Sequence, residues 1–284
     1  MTSYLIGLIG AGIGPSLSPA LHEREAGRHG LNYVYRLIDI DALGMDAEAI
    51  GELVRTARRL GFDGLNITHP CKQTVIPHLD ELSKDAATLG AVNTVVFDGD
   101  RAVGHNTDWT GFAESFTRGL PGVPVRSVVQ LGAGGAGSAV AHALLTLGTG
   151  ELVVVDAEPG RAQALTRALS ARFGDGRARA AGQEELPGLL SRADGMVHAT
   201  PTGMAGHPGL PLPAGLVHRG LWVADIVYRP LETALLRHAR SLGCRALDGG
   251  GMVVYQAANA FRLFTGLRPD AGRMLAHLTE LVAS

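Results

Sequence analysis

Of the 25 basic residues only Lys72 and Lys84 are lysines, leaving 23 arginines. In a chain that otherwise takes its positive charge from arginine, a lysine points to ammonium chemistry or a titratable amine. Lys84 sits in the polar stretch Ser-Lys-Asp and reads as a surface cation. Lys72 closes the segment Asn-Ile-Thr-His-Pro-Cys-Lys (66–72), just beyond a short apolar run, where α/β sheets place their ligands. Asn93 stands at the start of another apolar run, and His105, Asn106, Thr107 and Asp108 follow the end of the next. Ser16 and Ser18 come after the first one. Short polar groups delivered from four strand ends suit a small ligand carrying several hydroxyls. Taken singly, each is ordinary turn chemistry. The lesser alternative for Lys72 is a plain surface cation, and for Asp108 the N-cap of a helix starting at Trp109.

A second set of residues has the spacing of a dinucleotide site. Gly132, Ala133, Gly134, Gly135, Ala136 and Gly137 satisfy G-x-G-x-x-G, follow the apolar run Ser-Val-Val-Gln-Leu and open a helical pattern. That context is what the motif's mechanism requires. Gly132 allows the tight turn, Gly134 lets the backbone approach a pyrophosphate, and Gly137 permits close helix–strand packing at a helix N-terminus that attracts anions. The next apolar run ends at Asp156, where a carboxylate accepts both ribose hydroxyls and repels a 2′-phosphate. Arg161 is placed to pair with Asp156 or to stack on an adenine. Gly10, Gly12 and Gly14 also follow a strand, with Asp39 ending the next one. Here the third glycine comes one residue early, Pro15 has no N–H to give, and the helix starts only near Ser18. This second turn is read as a decoy.

The elements that must carry these residues alternate. Strands are expected at residues 4–9, 33–38 and 64–67, and helices at 18–29 and 47–60, the latter stopped by Gly61. Residues 92–97 and 102–105 flank Asp-Gly-Asp as a hairpin. Residues 118–126, rich in Gly and Pro, interrupt the pattern and mark a boundary. A βαβα series follows over 127–131, 138–147, 151–155 and 161–172. Further strands are expected at 195–198 and 221–225 and near Ala246, with a helix over 232–242 and two C-terminal helices. The expectation is an α/β fold of two domains with a cleft between them. An N-terminal substrate domain with a mainly parallel sheet takes residues 1–110 plus 256–284, and a Rossmann-like dinucleotide domain takes 111–255.

Composition narrows the function class. The formal net charge is −2, aromatic residues make up 5%, and no basic run occurs, which argues against nucleic acid or an anionic membrane surface as the main partner. No stretch of about 18 apolar residues is present, and the N-terminus lacks a basic region and a cleavage signal, so a cytoplasmic address is expected. Cys71 and Cys244 have neither disulfide nor metal spacing, and no metal site is expected. His69 and His105 are read as packing or hydrogen-bonding residues, and Cys71 as a bystander.

Seven segments together resemble the shikimate/quinate dehydrogenase family. They are Ser-Leu-Ser (16–18), Asn-Ile-Thr-His-Pro-Cys-Lys, Gly-Ala-Val-Asn-Thr, Gly-His-Asn-Thr-Asp-Trp-Thr-Gly-Phe, the glycine motif, Ala-Thr-Pro-Thr-Gly-Met and Gly-Gly-Met-Val-Val-Tyr-Gln-Ala-Ala-Asn-Ala-Phe. They occur in the family's order and span nearly the whole chain. The resemblance implies that Lys72 and Asp108 are the catalytic pair and that Ser16 and Ser18 bind the substrate carboxylate, with Tyr228 near it. It implies that Thr68, Asn93 and Gln256 hold ring hydroxyls. Thr200, Val227 and Gly251 fall where the family's loops approach the nicotinamide. Oxidising a secondary alcohol needs a proton acceptor on the hydroxyl while hydride leaves the carbon. Lys72 is read as proton shuttle and Asp108 as orienter, titrating as one coupled unit, with the formal base assigned to neither.

NADP-dependent relatives commonly carry an Asn-Arg-Thr-type segment after the second strand of the nucleotide domain. This chain has Asp156, Ala157 and Glu158 there. Two carboxylates where a phosphate would sit favour NAD over NADP. The implied substrate is a small polyhydroxy carboxylic acid, shikimate or quinate or both. A biosynthetic NADP-dependent shikimate dehydrogenase is the rival, and a dinucleotide-binding regulator without turnover is a remote one. Oligomeric state is not legible.

Overall fold

The computed structural model describes residues 2–283. The first part of the chain forms β1 (Ser3–Gly10), α1 (Ser18–Arg28), β2 (Asn32–Asp39), α2 (Ile50–Arg59), β3 (Gly64–Ile67), α3 (Cys71–Thr74), β4 (Glu81–Leu82) and α4 (Lys84–Leu89). The hairpin β5 (Thr94–Asp98) and β6 (Arg101–His105) leads into α5 (Asp108–Gly119). Then come β7 (Ser127–Leu131), α6 (Gly135–Thr146), β8 (Glu151–Val155), α7 (Pro159–Phe173), β9 (Ala178–Ala181), α8 (Leu186–Leu190) and β10 (Gly195–His198). The chain closes with β11 (Trp222–Asp225), α9 (Ala234–Ser241), β12 (Arg245–Leu247), α10 (Gly250–Thr265) and α11 (Ala271–Ala283). Among the described residues no helix is long and apolar enough to cross a membrane.

The chain divides into two compact units. The first takes in the chain up to Thr110 and again from Val254; the second runs from Gly111 to Val253. In the first unit a six-stranded sheet has the order β2-β1-β3-β5-β6-β4. β1 pairs in parallel with β2 and β3, and β4 with β6, while β3–β5 and β5–β6 are antiparallel. The hairpin turns at Gly99, whose φ of 59° needs no Cβ. Ile6, Leu8 and Tyr35 pack with Ala260 and Phe264, which places α10's C-terminal half in this unit. Gly64 makes room for that contact, because a Cβ there would lie 2.4 Å from the Phe264 ring.

The second unit's sheet has the order β12-β11-β10-β7-β8-β9, parallel throughout. This is the doubly wound dinucleotide-binding order, which reverses at β7 and β10. β10 and β11 are buried along their whole length and β7 and β8 beyond their first residue, as strands covered on both faces must be.

Several boundaries differ from the sequence expectations for identifiable reasons. The Gly/Pro-rich stretch 118–126 closes α5 and continues as a loop inside the second unit, and is not a domain boundary. α5 runs unbroken through the dividing point, and Phe116 meets Trp222 edge-on at 4.9 Å, while the Trp222 indole donates to the Pro124 carbonyl. The helix expected over 47–60 opens with a 3₁₀ turn at Ala47–Ala49. α6 begins at Gly135, inside the glycine motif and earlier than residue 138. α9 starts only at Ala234, because Thr233 caps it by accepting from the Leu236 N–H at 3.2 Å.

Candidate active site

In the first unit the lysine singled out by composition meets the aspartate 36 residues away. Lys72 Nζ donates to Asp108 Oδ2 at 2.6 Å, the two side chains being 18% and 10% exposed. The other carboxylate oxygen, Oδ1, accepts from Asn93 Nδ2 at 2.9 Å. Asn93 is buried, and its second amide hydrogen goes to Thr107 Oγ1 at 2.9 Å, with Gln256 Oε1 at 3.5 Å. Its own Oδ1 accepts from the Thr107 N–H at 2.7 Å and the Thr94 hydroxyl at 3.0 Å. Asn93 is thus fully engaged inside the protein and holds Asp108 in one orientation. The reading of Asp108 as a helix cap is corrected. Asn106 Oδ1 takes the N–H groups of Asp108 and Trp109, at 3.1 and 3.4 Å, so the Asp108 carboxylate is left for Lys72.

The sheet explains the meeting. Lys72 lies on α3 just beyond β3, Asn93 precedes β5, and Asp108 follows β6, and these strands are neighbours. The Val92 N–H donates to the Lys72 carbonyl at 2.8 Å, fastening the two loops together. Asn259, three residues after Gln256 on α10, donates to the Thr110 hydroxyl at 2.9 Å, so this helix is tied to the same end of the sheet.

Ser16 and Ser18 sit at the entrance to α1, both partly exposed, with Ser16 Oγ accepting from the Ser18 N–H at 3.3 Å. Thr68 is partly buried and its methyl group faces Gly10. His69 is exposed rather than packed, and its carbonyl accepts from Ala11 at 2.9 Å. His105 is half-buried, and desolvation makes its imidazole harder to protonate than usual. Cys71 is fully buried and burial pushes its thiol up, away from reactivity. The turn at Gly10 has its backbone donors taken up internally. Asp39 accepts from Gly12 at 3.0 Å and Ile13 at 2.9 Å. Desolvation opposes ionisation of Asp39, but the N–H groups of Gly12, Asp41, Ile13 and Ala42 outweigh it and hold the carboxyl below its usual range.

In the second unit the glycine motif joins β7 to α6 at the point where the strand order reverses. Gly132 has φ 102°, and a Cβ on it would lie 2.5 Å from the Ala199 carbonyl oxygen. A Cβ on Gly137 would lie 2.4 Å from the Gly132 carbonyl oxygen, whereas Gly134 has open space beside it. Gln130, wholly buried, ties the turn by donating to the Gly132 and Gly137 carbonyls, both at 2.8 Å. Asp156 directly follows β8 and accepts from the Ala133 N–H at 2.7 Å and the Glu158 N–H at 2.8 Å. Arg161, in the first turn of α7, pairs at 2.9 Å with Glu158 at the helix N-cap three residues earlier instead of with Asp156. Tight backbone where only glycine fits, open space at Gly134 and an acidic strand end together match what a dinucleotide needs.

Thr200, Val227 and Tyr228 lie on the loops after β10 and β11, and burial pushes the Tyr228 hydroxyl up. Gly251 packs on Ser115, whose hydroxyl oxygen would stand 2.2 Å from a Cβ. A group the sequence did not announce joins these loops. His198 and Asp225 are buried and hydrogen-bonded at 2.9 Å. The other histidine nitrogen meets the Thr200 hydroxyl at 2.5 Å, while Asp225 accepts from Val227 N–H at 3.0 Å and Thr233 hydroxyl at 2.7 Å. A histidine inside a strand gives no sequence signal; its partner becomes visible only when β10 and β11 lie side by side.

A glycine-cradled doubly wound unit and a lysine–carboxylate pair backed by polar groups define a nicotinamide-dependent oxidoreductase. The comparisons agree. Residues 8–95 match the family model described as the shikimate dehydrogenase substrate binding domain, and residues 249–279 that of the shikimate 5′-dehydrogenase C-terminal domain. The chain is 71% identical, over 99% of its length and 97% of the relative's, to a shikimate dehydrogenase (NADP(+)) of Streptomyces avermitilis. It is 49% identical, over 98% and 99%, to a quinate/shikimate dehydrogenase (NAD(+)) of Corynebacterium efficiens. The quinate dehydrogenase of Corynebacterium glutamicum in complex with NAD superposes with a TM-score of 0.94 at 46% identity, covering 99% of this chain and all of that one. The chain belongs to the shikimate dehydrogenase family. It is an NAD(P)-dependent oxidoreductase acting on a CH–OH group.

Proposed function

We propose that this enzyme interconverts shikimate and 3-dehydroshikimate, quinate and 3-dehydroquinate, or both, with the Lys72–Asp108 pair handling the proton and NAD as the preferred cofactor. The observation that carries the reading is the 2.6 Å contact between Lys72 and Asp108, with Asn93 holding the carboxylate's far oxygen. In the oxidising direction the pair takes the proton of the ring hydroxyl, and in the reducing direction it returns it. A bound nicotinamide supplies the hydride acceptor. Asp108 keeps the lysine amine aimed, and the two titrate as a unit, so the base is the pair and not one member. Ser16 and Ser18 at the start of α1 take the carboxylate, while Thr68 and Gln256 meet ring hydroxyls. Asn93 acts chiefly by orienting Asp108, since both its amide hydrogens are already engaged.

In the second unit residues 132–137 would hold the pyrophosphate, and Asp156 the ribose hydroxyls. The loops bearing Thr200 and Val227, and Gly251 in the first turn of α10, would border the nicotinamide. The preference for NAD rests on charge. Asp156 and Glu158 stand at the end of β8 with Ala157 between them, and the nearby Arg161 is neutralised by Glu158. A 2′-phosphate placed there meets two carboxylates and no free cation among these residues. The name of the Streptomyces avermitilis relative favours the other reading, an NADP-dependent shikimate dehydrogenase.

Steady-state oxidation of shikimate and of quinate, each with NAD and with NADP, separates the two. The expected result is turnover of at least one acid, faster with NAD at equal concentration. Turnover with NADP alone would overturn the cofactor assignment, and absence of turnover with either acid would overturn the substrate assignment.

A further inference from the structure

Two parallel strands of the second unit end on a buried imidazole–carboxylate pair that the proposed proton transfer does not use. His198 and Asp225 are the last residues of β10 and β11, neighbours in register and both buried. His198 Nδ1 meets Asp225 Oδ1 at 2.9 Å, and its Nε2 meets the Thr200 hydroxyl at 2.5 Å. Asp225 Oδ1 also accepts from the Val227 N–H at 3.0 Å, and Oδ2 from the Thr233 hydroxyl at 2.7 Å. The pair thus fastens both the loop after β10, which carries Thr200, and the loop after β11, which carries Val227. Thr200 also stands against the glycine turn, for a Cβ on Gly132 would lie 3.0 Å from its methyl carbon.

The hydrogens in this group have fixed places. A carboxylate has none to give, so His198 Nδ1 carries the hydrogen that faces Asp225. In a neutral ring Nε2 is then bare and accepts from the Thr200 hydroxyl, whose oxygen accepts in turn from the Thr202 N–H at 3.3 Å. Thr200 is held with its hydroxyl on His198 and its methyl group towards Gly132. Packing alone does not call for this arrangement. Every other residue of β10 and β11 is apolar or glycine, and taking a carboxylate and an imidazole out of water is costly where an apolar pair would not be. The pair sits at the carboxyl ends of its strands, beside the reversal of strand order, where doubly wound sheets bind their ligands.

We propose that His198 and Asp225 are positioning residues of the cofactor site, holding the Thr200 and Val227 loops in the arrangement that receives the nicotinamide half of the dinucleotide. The inference rests on the reading of those loops as borders of the nicotinamide. Neither His198 nor Asp225 touches the cofactor; the pair fixes the Thr200 rotamer and ties both loops to one carboxylate. Loops ordered in advance need not be ordered each time the dinucleotide binds, so the pair acts on affinity through geometry.

The test is calorimetric titration with NADH and with NADPH of wild type, Thr200→Val, Thr200→Ser, His198→Leu and the double variant of Thr200→Val with His198→Leu. Titration reads the number of competent sites apart from their affinity, so unfolded protein lowers the first and leaves the second. Thr200→Val keeps the shape and loses the hydroxyl. Its Kd for the dinucleotide that wild type binds more tightly is expected to rise about threefold to tenfold, the value of one hydrogen bond. Thr200→Ser keeps the hydroxyl and should stay within about twofold of wild type. His198→Leu should weaken binding at least as much as Thr200→Val, and the double variant should bind no worse than His198→Leu alone, since both changes remove the same contact. If His198→Leu gives no folded protein, Thr200→Val and Thr200→Ser decide by themselves. Wild-type affinity in Thr200→Val, equal losses in Thr200→Ser and Thr200→Val, or effects that multiply in the double variant would overturn the inference. A wild type that binds neither dinucleotide would instead bring down the cofactor reading, and this inference with it.

Discussion

Lys72 has one carboxylate partner, and that carboxylate has two jobs, accepting from the ammonium on one oxygen and from Asn93 on the other. Replacing Asp108 by Asn leaves the shape but gives Asn93 and Lys72 a partner that can offer only one oxygen. We expect Asp108→Asn to lower kcat by about 100-fold, within the range for losing one positioned proton-transfer group. Thermal unfolding should shift little, because Asn106 and not Asp108 caps the helix. A kcat within a few-fold of wild type would remove Asp108 from the proton path. The pair was legible because lysine is so rare in this chain and because its segment belongs to a resembling set. The hydrogen bond from the Tyr35 hydroxyl to Asn66 was not legible: an aromatic residue in a strand reads as core, and the two meet only because β2 and β3 flank β1. Nor does the sequence tell that Asn93 is spent on its neighbours, since a buried and an exposed Asn are written alike.

At the scale of elements, the glycine turn carries the cofactor claim. Gly137 stands in the first turn of α6 with the Gly132 carbonyl oxygen 2.4 Å from where a Cβ would be. Gly137→Val must push α6 away from the turn and strain the carbonyls held by Gln130. Its KM for the cofactor should rise at least about tenfold, with acid binding measured separately by calorimetry left near wild type. Loss of both together would point to a general collapse instead. Strands with strong apolar runs were readable to within a residue or two, and so was the hairpin at Gly99. Two strands were not. β4 has two residues, too few for any pattern, and exists through its pairing with β6. β9 reads Ala-Arg-Ala-Ala, a composition with little β preference, and is held by the neighbouring β8. In both, tertiary pairing overrides local propensity.

For the molecule as a whole, acid should act first on the N-terminal unit. His22 is wholly buried among Tyr33, Tyr35, Phe261 and Phe264, and burial pulls its imidazole down to about 3. The unfolded chain protonates the same ring near pH 6.5, so between those values the unfolded state binds more protons. Stability contributed by keeping His22 neutral is fully present above about pH 6.5 and declines as pH falls towards 3, by roughly 4–5 kcal/mol in total. Urea unfolding of His22→Phe between pH 7 and 4 should show a flatter dependence than wild type. An identical slope would assign acid sensitivity to other groups. The division into two units has its own consequence, because damage to the glycine turn and damage to the Lys72 cluster lie in different parts of the chain and should separate in binding assays.

In the proposed mechanism Lys72, paired with Asp108, moves the proton in oxidation of a ring hydroxyl. Its most direct test is kcat for shikimate oxidation by Lys72→Ala, measured at saturating NAD and again at saturating NADP beside wild type. A fall of about 10²- to 10⁴-fold is expected with whichever cofactor the wild type uses, while the acid still binds. A Lys72→Ala enzyme that turns over at the wild-type rate would contradict it.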